Sequence, residues 1–220
     1  MNDEKLTPVI DYWNTKASQA GSDCARIESG QRAQRMRFEN FVVHHDLPGS
    51  RILDVGCGVG DFYDHLTRRG ISCDYHGVDI AGQMVGRCRE RFPEARFDVA
   101  DVTQWQPETP YDYVVSFAIH NVRMEGGREL LESVTRRQFE LCARAAHVSL
   151  LTDRFPGFDA HIQPWRAEEV LSLALSITPY VVLRHDYLPN DFSVTLYREP
   201  LIDTRKDLFL PPRTLGAVQK

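Results

Sequence analysis

The sequence predicts an α/β fold with a mostly parallel β-sheet. Short runs rich in β-branched and aromatic residues alternate with stretches of helical periodicity, the pattern that builds parallel sheets from strand–helix–strand units. A glycine-rich segment, GCGVG, joins the first of these strands to the next helix. The last two strand-like runs are separated only by Leu188–Asp191, whose Pro-Asn-Asp residues favour a turn and therefore an antiparallel hairpin.

Seven runs fit strands because they are short, apolar and bounded by polar, glycine or proline residues. They are Arg51–Val55, Tyr75–Asp79, Ala95–Val99, Tyr113–Phe117, Ala146–Leu151, Tyr180–Tyr187 and Phe192–Arg198. Five stretches place apolar residues near the helical period of 3.6, and two of them end at the helix-stopping signals Gly70 and Phe92-Pro93. The predicted helices are Gln31–His45, Asp61–Arg69, Ala81–Arg91, Gly127–Ala143 and Ala167–Ser176.

The length of 220 residues fits one domain with short appendages. Residues 1–30 begin with an amphipathic piece that continues into a polar stretch, and we interpret them as an N-terminal lid segment. Residues 31–200 form the predicted domain, and residues 201–220 an irregular C-terminal tail.

Composition excludes several classes of protein. A hydrophobic content of 42% with 26% charged residues is typical of a folded globular chain, and no apolar run reaches the length of a membrane span. The net charge of −5 argues against a nucleic-acid partner. The five cysteines are scattered without a CxxC pair, which favours reduced thiols in the cytoplasm. We find no metal-binding motif and expect no metal site.

The segment RILDVGCGVGDFYDHL carries the strongest functional signal. An apolar strand ends at Val55, and Gly56 and Gly58 let the backbone turn sharply and approach a ligand closely. A dinucleotide-binding loop would need a third glycine where this chain has Asp61, whose charge would face a pyrophosphate. The loop therefore predicts a nucleoside-like ligand that lacks a pyrophosphate.

Acidic residues follow the next two strands. Asp79 ends the second strand, where a carboxylate can accept hydrogen bonds from ribose hydroxyls, or can cap the next helix. Asp101 lies just beyond the third strand, where an adenine amino group could be bound; Asp98 competes for this role but lies within the strand. The end of the fourth strand, Phe117–Asn121, is expected at the crevice outside the carboxyl ends of the strands.

In this order and spacing, ILDVGCGVG, GVDI, the Asp101 segment and YDYVVSFAIHN resemble the class I S-adenosylmethionine-dependent methyltransferases of the small-molecule type. The resemblance covers about residues 31–198. It implies a Rossmann-like, doubly wound sheet of seven strands, mostly parallel with one antiparallel strand, and helices on both faces. It also implies that the cofactor is S-adenosyl-L-methionine and the product S-adenosyl-L-homocysteine.

The resemblance assigns roles to the matching residues. The methionine part of the cofactor would be held by Asp54, Gly56, Cys57, Gly58 and Gly60. The ribose, the adenine and the wall near the sulfonium would be contacted by Asp79, Ile80, Met84, Asp101, Val102, Phe117 and Ala118. Tyr12 and Trp13 are similar to a Tyr-Trp-Asp stretch that closes over the cofactor, although here Asp11 precedes them.

Methyl transfer from a sulfonium is an in-line displacement, in which the protein mainly aligns donor and acceptor. A hydroxyl or ammonium acceptor also needs a base. His120 is the candidate base because an unperturbed imidazole has a pKa near ~6.5, although it could simply pack at the strand end. Asn121 could orient the acceptor, and Tyr12 could donate to the cofactor or shape the pocket.

The identity of the acceptor is open. Short appendages and the aromatic insert around Trp165 favour a small-molecule acceptor, a metabolite or natural product that is methylated on O or N. We expect the protein to be a monomer or homodimer. A protein or RNA methyltransferase and a non-catalytic S-adenosylmethionine-binding module are the alternatives. His161 could line the acceptor pocket or belong to a surface loop, and Arg37 could reach an acidic acceptor, but a solvated helix face is favoured for it.

Overall fold

The computed structural model describes residues 3–19 and 31–202. The polar part of the predicted lid segment and most of the predicted tail lie outside these residues. The division into a lid segment, a domain and a tail stays a prediction.

The described residues form one seven-stranded sheet in the order β3-β2-β1-β4-β5-β7-β6. Strands β1 to β5 pair in parallel, while β7 runs antiparallel to both β5 and β6. The strand bounds are β1 Arg51–Val55, β2 Asp74–Asp79, β3 Arg96–Val99, β4 Tyr111–Phe117, β5 Cys142–Leu151, β6 Val181–Leu188 and β7 Asp191–Tyr197. The predicted fold class, including the antiparallel hairpin at the end, is confirmed.

Six helices accompany the sheet in the described part of the chain. Their bounds are α1 Asp3–Gln19, α2 Gln31–Val42, α3 Asp61–Arg68, α4 Gly82–Arg91, α5 Gly127–Leu141 and α6 Ala167–Leu175. Helix α1 has no counterpart among the predicted helices. Among the predicted elements, the largest shift of a boundary is at β5, which begins four residues earlier than expected, at Cys142 rather than Ala146. The extra length pairs with β4 and β7, and a local pattern does not reveal such pairing.

The core lies on both faces of the sheet. On one face, aromatic side chains of α2 and α3 pack together, with ring centroids of Phe38 and Phe62 5.2 Å apart and those of Phe38 and Phe117 4.9 Å apart. On the other face, Val114 and Leu150 pack with apolar residues of α5 and α6. These two layers fix the strands, and therefore the loops that leave their carboxyl ends.

Helix α1 packs against α4. Ala17 is fully buried beside Ala81 and Met84, and Arg87 donates from Nη2 to the Ala17 carbonyl at 2.6 Å. The N-terminal helix is therefore held at the carboxyl edge of the sheet, next to the loop that follows β2.

No helix in the described ranges is long and apolar enough to cross a membrane. Four of the five cysteines, Cys57, Cys73, Cys88 and Cys142, are free thiols; Cys24 lies outside the described residues.

A half-buried histidine, His45, and a buried one, His147, predict that the fold loses stability in acid. Burial lowers the pKa of His45 to about 4 and that of His147 well below its ordinary value. In the unfolded chain both take up protons below pH ~6.5, whereas the folded protein keeps them neutral, so the free energy of unfolding falls as the pH drops from ~6.5 towards 4. Asp79, whose pKa burial raises to about 6, acts in the opposite direction between pH 6 and ~4.

Urea unfolding at pH 7.5 and pH 5 measures this dependence. Replacing His147 by Gln should flatten it, because the buried imidazole is removed. The matched control His185→Gln changes an exposed imidazole and should leave the dependence as in the wild type. Equal pH dependence in His147→Gln and wild-type protein would contradict the prediction.

Candidate active site

A cavity of about 720 Å³ opens at the carboxyl ends of the central strands. It lies where the strand order reverses between β1 and β4, the place where doubly wound sheets bind ligands. Most of the predicted site residues line it: Tyr12, Trp13, Gly56, Gly58, Asp79, Ile80, Met84, Asp101, Val102, Phe117, Ala118, His120 and Asn121.

Three predicted cofactor residues lie outside the lining. Asp54 is buried in β1 and accepts a hydrogen bond from the Tyr75 hydroxyl at 2.7 Å. Cys57 is buried beside Cys88, and Gly60 precedes α3. The fold does not place these three residues in the cavity wall, so it adds no support for their contact with the cofactor. That contact stays a prediction.

The glycine loop is a left-handed turn pressed against the end of β4. Gly56 has a φ of +71°, and a Cβ built there would lie 2.3 Å from Cγ2 of Ile119. The N–H groups of Gly56 and Cys57 both donate to the Val78 carbonyl, at 2.8 and 3.1 Å. Only glycine fits this position, because any side chain would be strained and would clash.

Asp79 links the glycine loop to the start of α4. Its Oδ2 accepts from the Gly58 N–H at 2.9 Å and its Oδ1 from the Ala81 N–H at 2.8 Å. Ala81, not Asp79, is the residue that caps α4, so the helix-cap interpretation is wrong. Burial raises the pKa of Asp79 to about 6, with the backbone donors opposing the change. Each carboxylate oxygen keeps further acceptor capacity, which suits a pair of hydroxyl donors.

Asp101 lines the cavity and has one enclosed oxygen without a hydrogen-bond partner among the described residues. Its Oδ1 accepts from the backbone N–H and the hydroxyl of Thr103, at 2.9 and 2.7 Å. Its Oδ2 is enclosed and has no hydrogen-bond partner within residues 3–19 and 31–202. The competing Asp98 bonds His76 Nε2 at 2.9 Å and does not line the cavity. A buried acceptor without a donor is costly, and a ligand N–H bound beside Asp101 would satisfy Oδ2.

The end of β4 forms the next part of the wall. Ala118 has a φ of +62°, a strained conformation for a residue with a Cβ. His120 is buried, and its Nε2 lacks a partner in the described part of the chain. Burial lowers its pKa to about 3, well below the ~6.5 expected from the sequence. The imidazole is therefore neutral at physiological pH and only weakly basic. Asn121 Oδ1 accepts from the Leu151 N–H at 3.3 Å.

Sequence reasoning missed part of the wall. Arg37 is buried and forms an ion pair with Asp191, so the solvated position favoured for it was wrong. Arg37 lies three residues from Gln34 and four from Phe41, which are both buried, so helical spacing could have indicated that Arg37 is buried too. His161 does reach the cavity, with its ring 6.4 Å from that of Tyr12. Leu6 and Ile119 also line it and carried no motif.

The site combines a glycine turn after β1 with acidic residues after β2 and β3, all around one cavity where the strand order reverses. This arrangement is typical of Rossmann-like proteins that bind nucleoside-type ligands.

Comparison with known proteins narrows this class. Residues 52–137 match the family model described as "Methyltransferase domain". The trans-aconitate 2-methyltransferase of Afipia carboxidovorans is 36% identical over 73 residues, which are 33% of this chain and 28% of that protein. The chain thus aligns with less than a third of the length of this relative.

Solved structures agree in fold. The magnesium protoporphyrin IX methyltransferase of Synechocystis with bound S-adenosylhomocysteine has a TM-score of 0.66 at 17% identity, covering 89% of this chain and 100% of that one. The DhpI complex with S-adenosylhomocysteine has a TM-score of 0.65 at 15% identity, covering 92% and 100%. The family model thus matches residues 52–137, and the fold of the described residues is that of S-adenosylmethionine-dependent methyltransferases.

The turn at Gly56 predicts a specific loss of stability. Gly56→Ala should lower the free energy of unfolding by at least ~1–2 kcal/mol, because a left-handed Ala is strained and its Cβ meets Ile119. The control is Gly86→Ala in α4, where a Cβ meets nothing within 4 Å and helix propensity should add ~0.5–1 kcal/mol. Thermal denaturation of the two variants checks the signs; unchanged melting of Gly56→Ala would contradict the geometry.

Proposed function

We propose that the protein binds S-adenosyl-L-methionine in this cavity and transfers its methyl group to a small-molecule acceptor, releasing S-adenosyl-L-homocysteine. The observation that supports this most strongly is the convergence of the Gly56 turn, Asp79 and the unpaired Asp101 Oδ2 on one cavity. The groups around this cavity are those that an adenosine bearing an amino acid requires.

Each part of the cofactor has chemically fitting residues. Asp79 supplies carboxylate oxygens for the ribose hydroxyls, and Asp101 Oδ2 supplies an acceptor for the adenine amino group. Ile80, Met84 and Val102 supply apolar surface for the adenine ring. The side-chain-free backbone at Gly56 and Gly58 admits the methionine part closely. The bound cofactor would supply an activated methyl group, so the protein has to align, desolvate and deprotonate the acceptor.

The far end of the cavity fits an enclosed small acceptor. Tyr12 of α1 and His161 face each other there, and His120 and Asn121 line the wall beyond the end of β4. Such an enclosed end keeps water from the methyl group. We propose that Asn121 orients the acceptor. We also propose that His120, a weak base in its buried position, takes the proton of a hydroxyl acceptor as the oxygen becomes acidic during methyl transfer. The name of the relative from Afipia carboxidovorans, a trans-aconitate methyltransferase, also favours a small acceptor.

The Asp101 variant that preserves shape tests cofactor binding. In Asp101→Asn, Oδ1 keeps its bonds to Thr103 and an amide N–H₂ replaces Oδ2. Affinity for S-adenosylhomocysteine, measured by calorimetry, should fall by about tenfold or more, because a hydrogen bond to a charged acceptor is lost. The inosine analogue, which presents an oxygen in place of the amino group, should gain affinity relative to the adenosine compound. Asp186→Asn on the exposed part of β6 is the control; unchanged selectivity in Asp101→Asn would contradict the assignment.

The His120 variant tests the proton acceptor. His120→Gln should bind S-adenosylhomocysteine as the wild type does and lose turnover by roughly 100-fold. Since burial lowers the His120 pKa to about 3, His120 should contribute no acidic limb near pH 6.5 to the kcat/KM profile. An acidic limb near pH 6 would belong to Asp79, whose pKa burial raises to about 6, and His120→Gln should leave that limb unchanged. The acceptor comes from a screen of pooled metabolites with an isotope-labelled methyl donor and mass spectrometry. Unchanged turnover of His120→Gln would remove this residue from the mechanism.

A further inference from the structure

Arg37 is a buried cation at the wall of the cavity. It is 5% exposed, and its Nε donates to Asp191 Oδ2 at 2.6 Å. Asp191 is fully buried, and its Oδ1 accepts from the Tyr187 hydroxyl at 2.5 Å. The carboxylate is therefore fixed from two sides, and it fixes the guanidinium in turn.

The hydrogen bond to Asp191 uses Nε of Arg37 and not its two terminal nitrogens, Nη1 and Nη2. No other hydrogen bond joins Arg37 to residues of the described ranges. These nitrogens are also not among the fully enclosed polar atoms that lack a partner, so they retain accessible surface. Arg37 is nearly buried and lines the cavity, and we infer that this surface faces the cavity.

The fold places this guanidinium away from the predicted cofactor end. Asp191 begins β7 and pairs with Leu151 at the end of β5. Strands β4 and β5 separate β7 from β1, so at ~4.8 Å per strand Asp191 lies roughly 14 Å across the sheet from the glycine loop. Leu151 and Asn190, the neighbours of Asp191 in the sheet and the chain, line the cavity as well.

The chemistry of this group selects its ligand. A guanidinium presents its donors in a rigid plane that matches two oxygens of a carboxylate or phosphate. With Nε committed to Asp191, the edge formed by Nη1 and Nη2 is available for such a pair. A ligand without acceptor oxygens would bury these donors unpaired, which is unfavourable. An arginine that only tied α2 to β7 would not need to present its free edge to the cavity.

Resting on the function proposed above, we propose that Arg37 determines acceptor specificity by binding an oxyanion of the methyl acceptor, a carboxylate or a phosphate-type group. Asp191 and Tyr187 are positioning residues that hold the guanidinium in place.

Three proteins test this: the wild type, the double variant Arg37→Gln with Asp191→Asn, and the control Arg35→Gln. The double variant removes both buried charges together, so that no lone ion is left in the core. Arg35 is an exposed arginine of the same helix. Thermal denaturation establishes that each variant folds. Calorimetry with S-adenosylhomocysteine then measures the cofactor site separately from the acceptor site.

The assay supplies labelled methyl donor with matched acceptor pools: carboxylic acids, phosphate and phosphonate compounds, and the neutral amides of the same carboxylic acids. The wild type and Arg35→Gln should prefer one oxyanion pool over the neutral pool, and the preferred pool identifies the source of the oxyanion. In the double variant, kcat/KM for that pool should fall at least about tenfold, mainly through KM. Its affinity for S-adenosylhomocysteine should stay within about twofold of the wild type.

Three results would overturn the assignment of Arg37. The first is equal use of charged and neutral acceptors by the wild type, and the second is an unchanged preference in the folded double variant. The third is a loss of S-adenosylhomocysteine affinity in the double variant as large as its loss of kcat/KM, which would assign Arg37 to the cofactor carboxylate. A wild type that does not bind S-adenosylhomocysteine would instead refute the proposed function. The assignment of Arg37 can therefore be refuted while the proposed methyltransferase activity is upheld.

Discussion

The close approach between Gly56 and Ile119 is the constraint on which the site depends. It brings the end of β1 against the segment that follows β4, while two N–H groups of the loop bind the Val78 carbonyl at the end of β2. Three strand ends are thereby fixed around one turn that tolerates no side chain. The positions of Asp79 and of the wall from Ala118 to Asn121 follow from this turn.

Some of the polar atoms that folding leaves unpaired belong to residues of the cavity wall. Buried polar groups nearly always find partners, yet Asp101 Oδ2, His120 Nε2 and the free edge of Arg37 lack one among the described residues. All three belong to residues that line the same cavity. Under the proposed function, the acceptor oxygen of Asp101 would bind the adenine amino group. The donors of Arg37 would bind an oxyanion of the methyl acceptor.

Burial shifts two ionisable groups of the cavity, Asp79 and His120, towards their neutral forms. It raises the pKa of Asp79 to about 6 and lowers that of His120 to about 3. Both changes have the same cause, the loss of water around the charged form. Arg37 is paired with Asp191 within the core, and this ion pair holds its guanidinium in one orientation at the cavity wall.

The sequence by itself determined the features that arise from neighbouring residues: the alternation of strands and helices, the final hairpin, the glycine turn, and the acids at the ends of β2 and β3. Each depends on a short segment whose backbone or burial preference is local, so a pattern could predict it. The tertiary structure decided the rest. Arg37 and Asp191 are 154 residues apart in the sequence. Which elements meet in space also decides that α1 contributes to the cavity wall and that Asp54 does not. It likewise decides the low pKa of His120, which results from burial. No local pattern contains that information, because burial and pairing are properties of the assembled sheet and its helices.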